Sequence, residues 1–173
     1  MAVLPIRLYP DNVLRRECRQ VETFDGELRQ LADDLVETMY AAPGVGLAAP
    51  QVGLDLRLAV IDVTVGEEED ALIVLVNPEV VDSDGIESEV EGCLSIPDFT
   101  EKVARATRVK VHAESLDGEQ LEIEADGFLA RAILHEIDHL DGILFVDRLQ
   151  GLKRDRARRH LRRLERELVG ARV

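Results

Sequence analysis

The segment His135-Glu136-Ile137-Asp138-His139 places two histidines four positions apart, with a glutamate beside the first. On an α-helix, positions i and i+4 share one face, so the two imidazoles project to the same side. Two imidazoles on one face hold a divalent ion, and the adjacent glutamate reaches the water bound to that ion. The segment therefore predicts a metal-binding helix at the centre of the fold, although two structural histidines with a surface glutamate fit the same letters.

The sequence on either side of this segment predicts where the helix begins and ends. Asp126 is a typical N-cap residue, and Gly142 suits the left-handed position after the last turn. The apolar residues between them recur at helical spacing and offer one face to a core, namely Phe128, Leu129 or Ala132, Ile133 or Leu134, and Ile137.

Two further helices are predicted, one on each side of the metal-binding segment. Asp25 opens a pattern with an apolar stripe that must stop before Pro43. A second amphipathic pattern, over 152–168, closes the chain. A short helix over 11–20, with Asp11 as its cap, is also predicted.

The remaining apolar runs alternate and are punctuated by turn residues, which predicts strands over 57–63, 71–76, 80–81, 86–90, 103–111 and 121–125. Strands that follow one another without a βαβ rhythm favour an α+β fold. We expect antiparallel sheets packed around the central H-E-x-x-H helix, in a single domain over 1–173.

The composition restricts the classes of function. No run reaches the ~18 apolar residues of a membrane helix, and no signal peptide is recognisable at the N-terminus, so we expect no membrane partner. The two cysteines are too few for a disulfide framework, which favours the cytoplasm. A net charge of -14 and the lack of tryptophan argue against binding of free nucleic acid.

A catalytic site of this type needs a third protein ligand, and two candidates stand out. Cys93 lies in Glu91-Gly92-Cys93-Leu94-Ser95, a glycine-containing turn at a strand end, and its thiolate is a good ligand. His160 stands among arginines that are typical of a solvated face, and His112 lies in an alternating strand. We favour Cys93, although most free cysteines are small buried core residues.

A third segment, Gly44-Val45-Gly46-Leu47-Ala48-Ala49-Pro50-Gln51, is rich in small residues. Small residues let the backbone approach a ligand closely, and the Gln51 amide can donate to a developing oxyanion. The segment is not a phosphate loop, because no Lys-Ser/Thr pair follows the glycines. Taken alone, it also fits a plain turn between a helix and a strand.

Together the three segments resemble the peptide deformylase family, which has G-x-G-x-A-A-x-Q, E-G-C-L-S and H-E-x-x-H in this order. The resemblance covers nearly the whole chain, and its E-G-C-L-S turn is similar to that of the active bacterial and organellar enzymes. One position departs from the pattern, because Leu134 stands where the family usually has Gln. This departure puts local packing or an outer hydrogen bond in doubt, but not the metal ligands.

The resemblance implies a metal-dependent hydrolase that removes the formyl group from N-formyl-methionyl peptides and releases formate. It implies one divalent ion on Cys93, His135 and His139, natively Fe(II), with Zn, Ni or Co as alternatives. Glu136 would then act as the general base. The Gln51 amide and the Leu94 backbone N–H would stabilise the oxyanion.

Selectivity for formyl, the smallest acyl group, requires a tight space at the metal. We expect Val45, Gly46 and Leu47 to crowd that space, with the Gly46 backbone pairing with an extended peptide. Phe128 and Ala132 precede His135 on one helix face and are expected to wall the methionine pocket, although core packing explains them equally well.

Two charged residues are expected to support the site from outside. Asp138 would orient a ligand or a neighbouring backbone group, and a capping or surface role fits it equally well. Arg105 would pair with Glu91 and fix the turn that bears Cys93.

Residues 152–173 carry nine basic and three acidic side chains, a net charge of +6 on a chain of -14. An ordinary amphipathic helix with solvated arginines accounts for this tail. The family resemblance adds a second interpretation, in which the C-terminal helix docks on the ribosome, where rRNA attracts cations.

Two rival functions remain open from the sequence. An H-E-x-x-H metallopeptidase predicts a downstream His or Glu as third ligand and cleavage of internal peptide bonds. A binding module with a structural zinc predicts a closed site of four ligands, for which Cys18 is the spare cysteine.

Overall fold

The computed structural model describes residues 2–171, within which it has three α-helices and seven β-strands. The helices are α1 (Gly26–Ala41), α2 (Gly127–Leu140) and α3 (Gly151–Gly170). The strands are β1 (Gly46–Ala48), β2 (Leu58–Ile61), β3 (Ile73–Asp84), β4 (Glu87–Cys93), β5 (Ile96–Arg105), β6 (Arg108–Glu114) and β7 (Gln120–Asp126).

The strands form two separate antiparallel sheets. Five strands pair in the order β1-β2-β3-β6-β7, and β4 pairs with β5 in a two-stranded sheet. Helix α2 contacts β1, β2, β6 and β7, while α3 contacts β5. The predicted α+β class with antiparallel sheets is confirmed. Within residues 2–171, no helix combines the length and the apolar character needed to cross a bilayer.

Helix α1 forms where the sequence predicts it, and for the predicted reason. The Asp25 side chain accepts hydrogen bonds from the backbone N–H groups of Glu27 and Leu28, which caps the first turn. Its apolar stripe is buried at Leu28, Ala32, Leu35 and Met39. Together these residues pack into one core against β1 and β2.

Helices α2 and α3 bury their apolar faces against different sheets. Ile133 and Ile137 of α2 pack in a cluster with Val109 and Val111 of β6. Helix α3 packs in a separate cluster with β5 and the 3-10 helix Phe145–Arg148. Its buried residues in that cluster are Ala157, Leu161 and Leu164. The segment between α2 and α3 belongs to this second cluster, through Leu144, Phe145, Val146 and Leu149.

Three local predictions are wrong. The expected helix over 11–20 is only a 3-10 turn, Asn12–Arg15, although Asp11 does cap it. The chain leaves helical geometry because the Cys18 N–H donates to the Leu140 carbonyl at 2.8 Å. The long strand predicted over 103–111 is two strands, β5 and β6, that do not pair with each other.

The third wrong prediction is the break between the strands expected over 71–76 and 80–81, because β3 continues through Asn77-Pro78 as one strand. Asn77 has a φ of 50°, and its side chain accepts from the Val21 N–H and donates to the Val21 carbonyl. These two bonds to a distant segment let β3 carry an irregularity in its pairing with β6 instead of turning.

Gly142 follows the last turn of α2 in the left-handed conformation, as its position in the sequence predicts. Its φ is 73°, and a Cβ there would lie 2.7 Å from the Arg15 carbonyl oxygen. Gly142→Ala should therefore lower the free energy of unfolding by at least about 2 kcal/mol, because strain and overlap add. Urea unfolding measures the change.

The matched control is Gly26→Ala at the first position of α1, where a Cβ would meet no atom within 4 Å. This variant should be unchanged or more stable by up to about 1 kcal/mol. Equal stability of the two alanine variants would contradict the account of Gly142.

Candidate metal centre

Three side chains from the β4–β5 hairpin and α2 converge on one point. The donor atoms of Cys93, His135 and His139 all lie within 4.8 Å of one another. The Cys93 Sγ is 3.3 Å from the His139 Nε2, and the two imidazole centroids are 5.0 Å apart. Cys93 ends β4, whereas the histidines are one helical turn apart on α2, so the sheet and the helix each contribute to the group.

Glu91 determines which nitrogen of His135 faces this point. The His135 Nδ1 lies 2.8 Å from the Glu91 Oε1. Because an ionised carboxylate only accepts, Nδ1 carries a hydrogen, and Nε2 is the nitrogen that can bind a cation. A carboxylate behind a ligand histidine fixes the ring in this way at many metal sites.

Glu91 is itself held by buried arginines. Arg105 donates to both carboxylate oxygens, at 2.8 and 2.9 Å, and the Arg131 Nη1 donates at 2.7 Å. Burial raises the pKa of Glu91, but the hydrogen bonds of His135 and Arg105 outweigh it and lower the pKa to about 2. The carboxylate is therefore ionised at any working pH. The predicted pair between Arg105 and Glu91 is confirmed.

Asp138 accepts hydrogen bonds from arginines. The Arg105 Nη1 donates to it at 2.6 Å and the Arg148 Nη2 at 2.7 Å. Arg105 thus bridges Glu91 of the hairpin and Asp138 of α2, so the support that Asp138 gives to the site runs through Arg105.

The electrostatic surroundings of the histidines suit a cation. Burial lowers the pKa of His135, but hydrogen bonds with Cys93 and Glu91 outweigh it and raise the pKa to about 10. The surroundings therefore favour a positive charge at Nε2, which either a proton or a metal ion bound in its place would supply. Burial together with the His135 charge lowers the pKa of His139 well below its usual value, which keeps that ring neutral. One thiolate and two imidazoles are a donor set for a divalent transition metal, and the three residues fit such an ion.

Glu136 lies beside the group as a buried carboxylate. The residue is 4% exposed, and its Oε2 has no hydrogen-bond partner among residues 2–171. Burial raises the pKa of Glu136 to about 7, although His135 and Arg105 act in the opposite direction. A carboxyl group with this pKa can take up and release a proton near neutrality.

The backbone of β1 comes close to Glu136 at Gly46. A Cβ at Gly46 would lie 2.9 Å from the Glu136 Cδ, so any larger residue would push the carboxylate away. Gly46 is therefore required by its close contact with Glu136, and not only by the turn that the sequence suggests.

Gln51 is 2% exposed, and its amide has one orientation. The Ala48 N–H donates to the Gln51 Oε1 at 3.0 Å, so the NH₂ group points the other way. That group lies 3.6 Å from the Cys93 Sγ and donates to the Ser95 Oγ at 3.2 Å. The amide hydrogens thus face the metal-binding group.

A cleft of about 580 Å³ opens onto these residues. Most of the residues predicted to touch a substrate line it, namely Val45, Gly46, Gln51, Leu94, Phe128, Ala132 and Glu136. Phe128 is 56% exposed at the mouth, whereas Ala132 lies deeper and is buried. Leu47 is fully buried in the core with α1, so its side chain points away from the cleft.

The other two histidines lie outside the group. The His160 Nε2 is 2.8 Å from the Pro97 carbonyl oxygen, and the His112 Nε2 is 3.0 Å from Glu122 on the sheet surface. Between the two candidates for the third position, the geometry favours Cys93.

The sequence interpretation missed the contacts that Ser95 and Arg131 make in the site. Arg131 is four residues before His135, so helical spacing alone would have placed it on the metal-binding face. Nothing local indicates that Glu91 meets His135, because the two residues belong to different elements and are 44 positions apart.

Comparison with known proteins agrees with this geometry. Residues 3–155 match the family model for polypeptide deformylase. The chain is 51% identical over 166 residues to a peptide deformylase of Acidobacterium capsulatum, covering 96% of this chain and 98% of that protein.

Two crystal structures of peptide deformylases are similar in fold. The enzyme from Legionella pneumophila has a TM-score of 0.88 and 48% identity, over 97% of this chain and 98% of that one. The enzyme from Thermus thermophilus has a TM-score of 0.87 and 45% identity, over 95% and 99%. With a family model that covers most of its length and relatives this similar, the chain belongs to the polypeptide deformylase family.

Proposed function

We propose that this chain acts as one catalytic domain that removes the N-formyl group from the methionine at the start of newly synthesised proteins, with Glu136 as general base. The reaction follows from the family, whose members are metal-dependent hydrolases of nascent peptides. The assignment of residues to roles rests on one observation, the buried Glu136 carboxylate beside the Cys93, His135 and His139 group.

The ion is proposed to bind the Cys93 Sγ, the His135 Nε2 and a nitrogen of His139. When bound, it acidifies a water molecule and polarises a carbonyl oxygen. We propose Fe(II) as the native metal, and a thiolate with two imidazoles also accepts Zn, Ni or Co. Three protein ligands leave a position open, which suits catalysis rather than a structural role.

Glu136 moves the proton. With a pKa of about 7, its carboxylate accepts a proton from the attacking water and then passes it to the nitrogen of the leaving amine. The contact with Gly46 limits where the carboxylate can lie, so its distance to the reacting atoms is set before the substrate arrives.

Two donors are proposed to stabilise the oxygen that becomes negative as water adds to the formyl carbon. One is the Gln51 amide, whose orientation the Ala48 N–H determines, and the other is the Leu94 backbone N–H. A preorganised donor costs no rearrangement in the transition state, which is why its contribution to the rate is large.

Substrate selection is proposed to come from the narrow part of the cleft. Val45 and Gly46 restrict the space next to Glu136, which leaves room for a formyl group. Ala132 and Phe128 form an apolar wall suited to a methionine side chain. The buried side chain of Leu47 leaves it only a backbone role in this selection.

Both rival functions fit the geometry less well. A metallopeptidase would use a His or Glu downstream of His139, yet His160 binds the Pro97 carbonyl. A closed zinc site would need a fourth ligand, yet Cys18 packs with Ala48, Ala59 and Leu140 in a separate buried cluster.

The proposed location is the cytoplasm, where nascent chains appear and where the two free thiols stay reduced. Docking on the ribosome through α3 is also proposed. The outer face of this helix carries exposed arginines, among them Arg158, Arg159 and Arg162, while Leu161 and Leu164 are buried in a cluster with residues of β5.

Glu136→Gln should abolish most formate release from formyl-Met-Ala, with a loss of about 10²–10⁴ in turnover, because the amide cannot accept the proton. The assay uses anaerobically purified protein, and the bound metal is quantified in both forms. Release at the wild-type rate by the metal-loaded variant would exclude Glu136 as the base.

A stability measurement on Glu136→Gln shows whether the variant is folded, because burial of Glu136 makes the stability of the wild type depend on pH. The raised pKa of Glu136 means that the wild type loses stability as pH rises from about 4.5 to about 7, since the buried carboxylate must ionise. Glu136→Gln lacks this loss. With chelator present, its thermal midpoint should exceed that of the wild type above pH 7.

Gln51→Leu should lower turnover by about 10²–10³, because one oxyanion donor is lost while the side-chain volume is kept. Ser95→Ala is the matched control, since it removes a partner of the Gln51 amide but leaves the amide itself. Turnover of Gln51→Leu close to that of Ser95→Ala, with equal metal content, would remove Gln51 from the mechanism.

The combined substitution Arg158→Glu, Arg159→Glu and Arg162→Glu should weaken ribosome binding about tenfold or more and reduce its salt dependence. Charge reversal spares the buried leucines of α3, which a deletion would remove. Arg108→Glu, at an exposed position at the start of β6, is the control. Equal ribosome affinity of both variants in sedimentation would refute docking through α3.

A further inference from the structure

The first half of β5 forms one wall of the cleft but has support from only one neighbouring strand. Pro97 and Phe99 line the cleft, and Asp98 between them has a φ of 62°. Strand β5 pairs with β4 alone, in the smaller sheet. A wall with an irregular backbone and a single paired edge depends on contacts from another element to keep its shape.

Helix α3 supplies those contacts through His160. Its Nε2 is 2.8 Å from the Pro97 carbonyl oxygen, and its ring stacks on Phe99 with centroids 5.2 Å apart. The Arg163 Nη2 is 3.1 Å from the His160 Nδ1. Because the carbonyl only accepts, the His160 Nε2 carries the hydrogen of this bond, and the Nδ1 faces the Arg163 guanidinium.

The stacking continues from His160 into the metal centre. Phe99 stacks on Phe145 at 6.2 Å, and Phe145 stacks on His135 at 6.1 Å. A line of four rings therefore connects the C-terminal helix to a proposed metal ligand, and two of its members, Phe99 and His135, line the cleft.

We propose that His160 is a positioning residue that fixes the Pro97–Phe99 wall and so sets the affinity for the peptide part of the substrate. The inference rests on the proposed function of the cleft. His160 touches neither the metal-binding group nor Glu136, so it acts through the position of Phe99 and leaves the chemical step unchanged.

Helix α3 stays attached when His160 is replaced. The Lys153 Nζ donates to the Lys102 carbonyl, and Arg156 pairs with Glu101, both in the second half of β5. The buried residues Ala157, Leu161 and Leu164 keep the helix in its core. A substitution at His160 therefore changes the wall without releasing the helix.

His160→Ala should raise KM for formyl-Met-Ala-Ser about three- to tenfold, the effect of one lost hydrogen bond and one lost stack, with kcat within about twofold. Metal content should match the wild type. His160→Phe keeps the stack, and His160→Gln keeps the donor, so each should recover part of the loss. Arg166→Ala, at an exposed position of α3, is the control.

A second readout does not depend on turnover. Hydrogen exchange of the segment 96–102, measured on metal-loaded protein, should be faster in His160→Ala than in the wild type and Arg166→Ala. Unchanged exchange would overturn the positioning role. Faster exchange with an unchanged KM would overturn the link to substrate affinity.

These outcomes are separable from those of the proposed function. If metal-loaded wild type releases no formate, the proposed function fails, and hydrogen exchange still decides whether His160 holds the wall. If the wild type is active and His160→Ala has a wild-type KM, only the inference about His160 fails.

Discussion

The buried carboxylate of Glu91 is the contact on which the whole centre depends. It accepts from His135, Arg105 and Arg131, and so ties the β4–β5 hairpin to α2 at the point where both supply metal-binding side chains. Removing one partner from such a network leaves an unpaired buried charge, at a cost of about 3–5 kcal/mol. The charges alternate outward from Glu91 to Arg105 and then to Asp138, so each buried charge has a partner of opposite sign.

This network explains why two carboxylates in the site differ in pKa, so that Glu91 is ionised whereas Glu136 can gain or lose a proton near neutral pH. Glu91 is surrounded by donors, and its pKa falls to about 2. Glu136 is buried without such donors, and its pKa rises to about 7. Two glutamates in one pocket thus take different roles because their partners differ, and the partners come from different elements.

The features that depend on neighbouring residues in the chain were predictable from the sequence. Helical spacing placed His135 and His139 together, Asp25 capped α1 and Gly142 took the left-handed position, because each involves residues within about one turn. Cys93 was preferred over His160 from the residues alone, because it lies in a glycine-containing turn, whereas His160 stands among arginines. Contacts between distant segments were not predictable. Nothing near Asn77 shows that its side chain will bind Val21 and keep β3 continuous. His160 is the clearest example, because its arginine-rich surroundings indicate a solvated face, yet it packs on the cleft wall. In each case a tertiary contact overrode the local pattern.

Because the strands form two separate sheets, the stability of the fold depends on the contacts that join them. Cys93 belongs to the smaller sheet, and His135 and His139 belong to the helix that packs on the larger one. An ion bound to all three would add a cross-link between the hairpin and this helix, beside the Glu91 network, comparable to a disulfide that closes a long loop. An ion at this group would therefore also hold the two sheets together, and its removal would loosen the cleft between them.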